Sequence, residues 1–337
     1  MRKVVTLGEI MMRLSTPTGE RLSQTKQLSI HYGGAEANVA VSLAHFGYDS
    51  YFVSKIPSNP LGKAVEMHLN SQGVHSNFLL KSGERLGTYY LETGIGERSP
   101  QVVYDRKYSS FSSLKVKELN LDEILQGTSL FHVSGITLAL SSELRELVLL
   151  AFKKAKDLGV VTSFDFNYRA KLWGQQEAAE AFKPLLPFID ICSCGELDAV
   201  YFLGIEQADQ ALPQEDRLSY YYHFISEKYP NIKYLTSTFR KVISSSNNKL
   251  IGNLFVDGVL YQSKVHDIEP IVDRVGGGDA FAAGILYGIL EGFQPQEIIS
   301  FATAASALKH TVHGDCNVFS VDEILQFTKN ETGKIVR

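Results

Sequence analysis

Residues 273–284 read DRVGGGDAFAAG, three consecutive glycines followed by an aspartate and an apolar, alanine-rich run. Glycine lets a backbone turn sharply and approach a ligand closely. The apolar run predicts a buried helix, and the free N–H groups and dipole at a helix start favour a bound anion. We therefore interpret Gly276, Gly277 and Gly278, the glycine loop, as an anion hole and Asp279 as the base of a phosphoryl transfer. The structural alternative is a helix capped after a glycine-rich turn.

The composition is that of an ordinary globular protein and argues against several classes of partner. The chain has 337 residues, 44% hydrophobic and 21% charged, enough for a large core. The net charge of -4 and the isoelectric point of about 6.2 indicate no surface for a nucleic acid or an anionic membrane. No segment reaches the ~18 apolar residues of a transmembrane helix. The three cysteines suggest no disulfide framework, so we expect a cytoplasmic protein.

Strand patterns alternate with helix patterns over most of the chain. Strands are expected at residues 4–7, 51–56, 129–134, 160–165, 188–193 and 234–237. This alternation predicts a mostly parallel sheet with helices on both faces, in a single α/β domain of residues 1–337. Two segments interrupt it with β patterns, at about residues 10–32 and 87–108. We expect these segments to meet in one small accessory sheet.

Polar side chains follow several of the expected strands. Asp165, Asn167 and Arg169 follow one strand, Glu196 follows another, and Asp279 follows the glycine loop. In open α/β sheets, ligands bind beyond the carboxyl ends of the strands. We therefore expect these side chains to surround one site.

Two glycine motifs together resemble a known family. Residues 33–38, GGAEAN, lead into a helix, and residues 276–281, GGGDAF, follow in the order and spacing of the ribokinase-like (PfkB-type) carbohydrate kinases. The resemblance runs from residue 7 to about residue 323. It implies a doubly wound fold with a small β lid, ATP bound with Mg²⁺, phosphate in the glycine loop, and Asp279 as catalytic base. It also allows for a monovalent cation and for a homo-oligomer formed through the lid.

Within this family the sequence is most similar to the 2-keto-3-deoxygluconate kinases. The likeness lies in residues 87–90, 102–109, 134–141, 165–173, 308–311 and 314–315. By this resemblance a sugar-acid pocket is lined by Gly34, Tyr90, Tyr104, Arg106 and Arg169. The implied activity is transfer of phosphate from ATP to the terminal hydroxyl of 2-keto-3-deoxygluconate, giving 2-keto-3-deoxy-6-phosphogluconate.

The residue types themselves favour a carboxylated substrate. Tyr104 and Arg106 are two positions apart on an expected strand and so face the same side. Arg106 can bind a carboxylate through two hydrogen bonds, and Arg169 can supply a second cation. The structural alternatives are a solvated Arg106, an Arg169 in a salt bridge, and a Tyr90 and Tyr104 packed in the lid core. The sequence around Arg169 also resembles bacterial fructokinases.

Asn167 and Glu196 are the residues expected near Mg²⁺ and the nucleotide. Mg²⁺ keeps much of its hydration shell, so Glu196 would act through water, and we assign no direct protein ligand to the metal. The structural alternative for Glu196 is a carboxylate that the dipole favours at a helix start.

Three departures from the family pattern lie on the nucleotide side. Arg274 stands where the family usually has threonine, and it would either contact phosphate or close a salt bridge. Ser193 replaces the asparagine of the family's Asn-x-x-Glu metal-site motif, and residues 236–241 lack the glycines that usually follow this strand. These departures leave the nucleotide preference open.

Two alternatives differ in function. One is a fructokinase- or ribokinase-like kinase that acts on a neutral sugar. The other is a non-catalytic sensor of a sugar acid or a nucleotide. The changed Ser193 and Arg274 favour the sensor, whereas the intact glycine loop and Asp279 oppose it.

Overall fold

The computed structural model describes residues 2–329, which contain two β-sheets and a set of helices. The strands are β1 (Lys3–Leu7), β2 (Met11–Ser15), β3 (Ser29–Gly33), β4 (Asp49–Ile56), β5 (Leu79–Lys81), β6 (Thr88–Glu92), β7 (Gln101–Asp105), β8 (Thr128–Ser134), β9 (Val161–Asp165), β10 (Ile191–Ser193), β11 (Tyr234–Ser244), β12 (Asn247–Val256), β13 (Val259–Gln262) and β14 (His266–Ile268). The helices are α1 (Ala35–His45), α2 (Pro60–Ser71), α3 (Leu121–Leu125), α4 (Gly135–Leu140), α5 (Ser142–Asp157), α6 (Gln175–Phe182), α7 (Glu196–Tyr201), α8 (Gln214–Lys228), α9 (Gly277–Leu290), α10 (Pro295–Lys309) and α11 (Val321–Lys329). None of the helices in this range is long and apolar enough to cross a bilayer.

The larger sheet has ten strands and is mostly parallel. Its order is β13-β12-β11-β10-β9-β8-β1-β4-β5, with β14 also paired to β12. The seven strands from β11 to β5 in this order run parallel to one another. β12 runs antiparallel to β11, β13 and β14. The predicted parallel sheet is therefore confirmed, with an antiparallel arm at one edge.

Helices cover both faces of this sheet. Val5 and Leu7 of β1 belong to one buried cluster, which includes residues of α5, α6 and α8. Val4 belongs to another cluster, which includes residues of α1, α9 and α10. Successive residues of a strand point to opposite faces, so the two clusters lie on opposite sides of the sheet. This arrangement confirms the predicted doubly wound α/β fold.

The smaller sheet, the lid, has four strands in the order β3-β2-β6-β7. Its two central strands, β2 and β6, run parallel, and each edge strand runs antiparallel to its neighbour. Across β6 and β7, Tyr89 lies opposite Tyr104 and Tyr90 lies opposite Val103. Tyr89 and Tyr104 therefore share one face of the lid, and Tyr90 and Val103 share the other. The predicted small sheet is confirmed.

A buried group of charges holds the lid to the rest of the chain. The Arg13 guanidinium on β2 donates to Asp273 and, at 2.8 Å, to Asp315. The Tyr89 hydroxyl on β6 also donates to Asp315. Lys309, at the end of α10, is fully buried and donates to the carbonyl oxygen of Asp273 at 3.2 Å. We call these five residues the buried charge network, in which two cations compensate two carboxylates.

Helix α9 is buried along most of its length because it packs against both α1 and α10. Its alanines let the neighbouring backbones approach, and Gly284 faces α10 at the tightest point. A Cβ added at Gly284 would lie 2.6 Å from Ala302 Cα. This packing fixes the first turn of α9, where Asp279 lies, relative to the sheet.

Candidate active site

A cavity of about 630 Å³ lies between the lid and the carboxyl ends of the parallel strands. The end of β9, the start of α1, the glycine loop and the lid strands β6 and β7 all contribute to its walls. The predicted site residues that line it are Gly34, Tyr104, Arg106, Asn167, Arg169, Gly276, Gly278 and Asp279. The fold thus brings the two glycine motifs to one place, at the sheet edge where such folds bind ligands.

Among residues 2–329, the Asp279 side chain accepts one short hydrogen bond. Asn38 Nδ2, on α1, donates to Asp279 Oδ2 at 2.6 Å. Burial raises the pKa of Asp279 to about 7; the Asn38 hydrogen bond opposes this rise, and the charge of Asp165 adds to it. The dipole of α9 alone would favour the ionised form, but burial outweighs it. Near neutral pH, Asp279 is therefore poised to gain or lose a proton.

The glycine loop is shaped by the segment against which it packs. Gly276 has a φ of 80°, and a Cβ there would lie 1.7 Å from Asp315 O, so only glycine fits. A Cβ on Gly277 would lie 2.4 Å from His310 Cε1, and Gly277 does not line the cavity. Gly276 and Gly278 do line it. The first N–H groups of α9 lack partners within the helix and can bind an anion here.

The start of α1 forms the opposite wall. A Cβ on Gly34 would lie 1.9 Å from Glu9 O, so a larger residue cannot be accommodated without moving the backbone. Glu36 is buried and accepts hydrogen bonds from Ser134 and Thr137, and burial raises its pKa. These contacts tie α1 to the end of β8. They hold Asn38 in place beside the Asp279 carboxylate.

Arg106, next to β7, is already paired at the cavity wall. Its guanidinium donates to Glu9, which follows β1, and both side chains are more than nine-tenths buried. The guanidinium also lies over the Tyr104 ring, 6.0 Å from the centroid. Arg106 Nε and Glu9 Oε1 have no hydrogen-bond partner within residues 2–329. The pair therefore fixes the position of Arg106 and leaves hydrogen-bonding capacity unused.

The structure corrects the predicted place of Tyr90. Tyr90 lies on the same face of the lid as Val103 and does not line the cavity. The neighbouring Tyr89 lines it, with its ring 5.7 Å from that of Tyr104. Adjacent residues of a strand point to opposite faces, so only one of the two consecutive tyrosines can face the ligand.

The end of β9 contributes a carboxylate, an amide and a cation. Burial raises the pKa of Asp165 to about 7; the nearby Arg169 opposes this rise and Asp198 adds to it. Asn167 has a φ of 38°, and its N–H donates to Asp165 Oδ1 at 3.1 Å. Arg169 is exposed and forms no ion pair with any described residue. It is thus an accessible positive charge in the cavity wall.

Glu196 does not line the cavity, and its place near the nucleotide stays a prediction. As the first residue of α7, it accepts a hydrogen bond from Arg217 Nε at 3.0 Å. Among the described residues, no group of three His, Cys, Asp or Glu side chains could hold a metal ion. Asp165 and Asn167 line the cavity, and their side-chain oxygens could hold Mg²⁺. Two such groups are enough, because this ion takes most of its ligands from water and phosphate.

Two of the three departures on the nucleotide side, Arg274 and residues 236–241, meet at the antiparallel arm. β11 continues to Ser244, so residues 236–241 belong to a strand, and the expected strand 234–237 is too short. Arg274 Nη2 donates to the carbonyl oxygens of Ser244 at 3.3 Å and Ser245 at 3.0 Å. It forms no salt bridge with any residue from 2 to 329. Arg240 of β11 lines the same cavity.

Four residues at this site were not assigned from the sequence: Glu9, Asn38, Tyr89 and Arg240. Asn38 lies within the diglycine motif and Glu9 directly after β1, so both positions carried a signal. Tyr89 could be chosen over Tyr90 only by knowing which face of β6 points inward. Arg240 carried no local signal, because its place depends on the length of β11.

The fold and the site are those of an enzyme that transfers phosphate to a small molecule. The family model described as pfkB family carbohydrate kinase matches residues 1–322 of the chain. The chain therefore belongs to the pfkB family of carbohydrate kinases, and its architecture is the ribokinase-like fold. Both expectations from the two glycine motifs, the family and the kinase activity, are confirmed.

Relatives match the chain almost from end to end. It is 32% identical over 322 residues to the 2-dehydro-3-deoxygalactonokinase of Haloferax volcanii, covering 96% of this chain and 95% of the relative. A PfkB family carbohydrate kinase from Listeria grayi is 46% identical with a TM-score of 0.93, over 98% of this chain and 100% of that one. The 2-dehydro-3-deoxygluconokinase of Thermotoga maritima is 41% identical with a TM-score of 0.94, over the same shares of the two chains.

Proposed function

We propose that this carbohydrate kinase phosphorylates the terminal hydroxyl of a 2-keto-3-deoxy sugar acid with ATP, giving 2-keto-3-deoxy-6-phosphogluconate from 2-keto-3-deoxygluconate. The observation that carries the proposal is one cavity in which Asp279 and the glycine loop share the walls with Arg169 and the Glu9–Arg106 pair. Relatives named for 2-dehydro-3-deoxy sugar acids, in which 2-dehydro denotes the same keto group, support this substrate class.

Asp279 accepts the proton of the attacking hydroxyl in this proposal. A base is most effective when its pKa lies near the working pH, and burial brings the pKa of Asp279 to about 7. Positioning and charge stabilisation dominate phosphoryl transfer, because its transition state is loose. Asn38 positions the carboxylate. The N–H groups at the start of α9 stabilise the negative charge on the transferring phosphate.

The two arginines favour an acid over a neutral sugar. Arg169 is exposed and has no carboxylate partner among the residues described, so a bound carboxylate would compensate its charge. The charge of Arg106 is already balanced by Glu9, so Arg106 contributes directed hydrogen bonds more than net charge. A neutral sugar would offer Arg169 no carboxylate to pair with, and its charge would interact only with the more distant Asp165 and Asp279. This difference favours the acid over a fructokinase- or ribokinase-like substrate.

Membership of the family supports ATP as the phosphoryl donor. When bound with the nucleotide, Mg²⁺ would neutralise the developing phosphate charge, with Asp165 and Asn167 near it. A monovalent cation stays a prediction.

We also propose a homo-oligomer formed through the lid. Ile30, Leu14, Tyr90 and Val103 lie opposite one another across its four strands. Ile30 is 57% and Val103 54% exposed, and an apolar row on an open sheet face is typical of an interface. Tyr90 would then belong to the interface. Light scattering coupled to size-exclusion chromatography measures the oligomeric state.

The proposed activity is tested by ATP consumption against 2-keto-3-deoxygluconate, 2-keto-3-deoxygalactonate, gluconate, fructose and ribose. We expect turnover with one or both 2-keto-3-deoxy acids, and the ratio of their kcat/KM values assigns the preferred epimer. The matched control is Asp279→Asn, which should bind both substrates but lose about 10²–10⁴-fold in kcat. Near-normal turnover in this variant would remove Asp279 from the mechanism.

Two other outcomes point to the competing functions. Preferential turnover of fructose or ribose would assign a neutral-sugar kinase. Binding of a sugar acid or a nucleotide without turnover of any of the five compounds would indicate a sensor.

A further inference from the structure

Two arginines in the cavity wall have no part in the proposed sugar-acid site. Arg240 lies on β11, and Arg274 lies two residues before the glycine loop. Neither forms an ion pair within residues 2–329. Within the part of the chain that the structure describes, the Arg274 guanidinium donates hydrogen bonds to the carbonyl oxygens of Ser244 and Ser245. Two charges of the same sign therefore face a cavity with no carboxylate bound to either of them.

The two guanidinium groups lie close enough to affect each other. Burial and, next, the positive charge of Arg240 lower the pKa of Arg274. His310, which packs against Gly277, has a pKa lowered to about 4 by burial, and both arginines add to that effect. Neighbouring like charges cost free energy unless an anion compensates them. The pair therefore provides a site for an anion beside the glycine loop.

The place of Arg240 in the sheet separates this site from the sugar-acid end. Glu9, the partner of Arg106, follows β1, and β11 lies four strands away in the sheet. At about 4.8 Å per strand, the main chains of β1 and β11 are about 19 Å apart in the sheet. A ligand that reaches from the glycine loop toward β11 is a different group from one held between Glu9, Arg106 and Tyr104.

The backbone of β11 explains why side chains are needed there. Arg240 pairs with Leu250 of β12, so the backbone polar groups of this segment take part in the sheet. A glycine-rich turn would present free N–H groups to phosphate, whereas a paired strand offers few. Guanidinium groups replace such donors well, because their planar set of N–H groups matches phosphate oxygens.

We propose that Arg240 and Arg274 together bind the polyphosphate of the nucleotide, on the β11 side of the glycine loop. The inference rests on the proposed transfer from ATP and adds the residues that hold its phosphates. The ligand class is a nucleoside di- or triphosphate bound with Mg²⁺. The arrangement leaves Arg169 and Arg106 for the sugar acid.

The test compares Arg240→Gln with Lys241→Gln. Lys241 is the next residue on β11, is exposed, points to the opposite side of the strand and does not line the cavity. Isothermal calorimetry with Mg²⁺–ADP should show a Kd raised about 10-fold or more for Arg240→Gln, because a charge-assisted contact is lost. The Kd should be unchanged for Lys241→Gln. The KM for ATP should follow the Kd, and the KM for the sugar acid should stay as in the wild type.

Arg274→Gln should change the same quantities in the same direction. This variant also loses two hydrogen bonds to the β11–β12 turn, so Arg240→Gln, which loses none among the described residues, carries the comparison. An unchanged Kd for ADP in Arg240→Gln overturns the inference. An equal loss in Lys241→Gln, or a raised KM for the sugar acid instead of ATP, also overturns it.

Failure of the proposed function would look different. If the wild type binds Mg²⁺–ADP and Arg240→Gln loses it, the phosphate site stands even when no sugar acid is turned over. If sugar acids are turned over and Arg240→Gln keeps its affinity for ADP, the phosphate site fails and the activity stands.

Discussion

Asp279 has to be ionised to accept a proton, and burial raises its pKa to about 7. We therefore expect kcat/KM for the sugar acid to fall as the pH drops below about 7, because the protonated carboxyl is inactive. The hydrogen bond from Asn38 favours the ionised form. Asn38→Ala should therefore shift this fall to higher pH. Initial rates between about pH 5 and about pH 9 measure both effects.

Unfolding measurements check the same pKa independently. A carboxyl whose pKa is raised in the folded state keeps a proton that the unfolded chain releases. The free energy of unfolding should therefore fall as the pH rises from 3.8 to about 7. Asp279→Asn removes this contribution and should lose less stability than the wild type over that range. In the kinetic experiment, a kcat/KM for the sugar acid that stays constant between about pH 5 and about pH 8 contradicts the assignment of Asp279 as the base.

Single residues could be predicted where a motif fixes the backbone around them. Gly34 and Asp279 belong to such motifs, because glycine at a close approach leaves little freedom for the neighbouring side chains. Tyr90 and Glu196 could not be placed in this way. The face of Tyr90 depends on the strand register, and Glu196 is paired by Arg217, 21 positions away in the sequence.

At the scale of helices and strands, the contact between α9 and α10 depends on Gly284. A Cβ there would lie 2.6 Å from Ala302 Cα, which belongs to a buried helix. We expect Gly284→Ala to lower the free energy of unfolding by about 1–3 kcal/mol through overpacking, although alanine is the better helix former. Urea denaturation measures this change.

The control for this prediction is Gly174→Ala. Gly174 precedes α6 with a φ of -77°, and a Cβ there would meet nothing within 4 Å. Its substitution should change the free energy of unfolding by less than about 1 kcal/mol. Equal effects at Gly174 and Gly284 would mean that the α9–α10 contact can relax around a methyl group.

The element that sequence could not delimit is β11. The expected strand 234–237 extends to Ser244 because its later residues pair with β12. Strand formation depends on cross-strand partners as much as on local composition. The βα alternation and its two interruptions are local patterns, so the larger sheet and the lid could be predicted. The extension of β11 that carries Arg240 could not, because it depends on pairing with β12.

At the scale of the whole molecule, the buried charge network is predicted to stabilise the fold through Arg13. Arg13→Met leaves Asp273 and Asp315 buried with less positive charge near them, and we expect a loss of about 3–5 kcal/mol. The control is Arg85→Met, because the Arg85–Asp105 pair also reaches the lid but is 40% and 59% exposed. This variant should lose less than about 1 kcal/mol in the same denaturation experiment. Similar losses in the two variants would show that the network adds little.

The buried charge network also distinguishes the central strands of the lid from its edge strands. Its two lid members, Arg13 and Tyr89, lie on the central strands β2 and β6, whereas β3 and β7 form the edges. The amide hydrogens of the central strands should therefore exchange with deuterium only when the contacts to Asp273 and Asp315 open. Those of the edge strands can exchange through smaller, local openings. On the timescale of deuterium uptake, we therefore expect the middle of the lid to open together with the segments around Asp273 and Asp315, and its two edge strands to open separately.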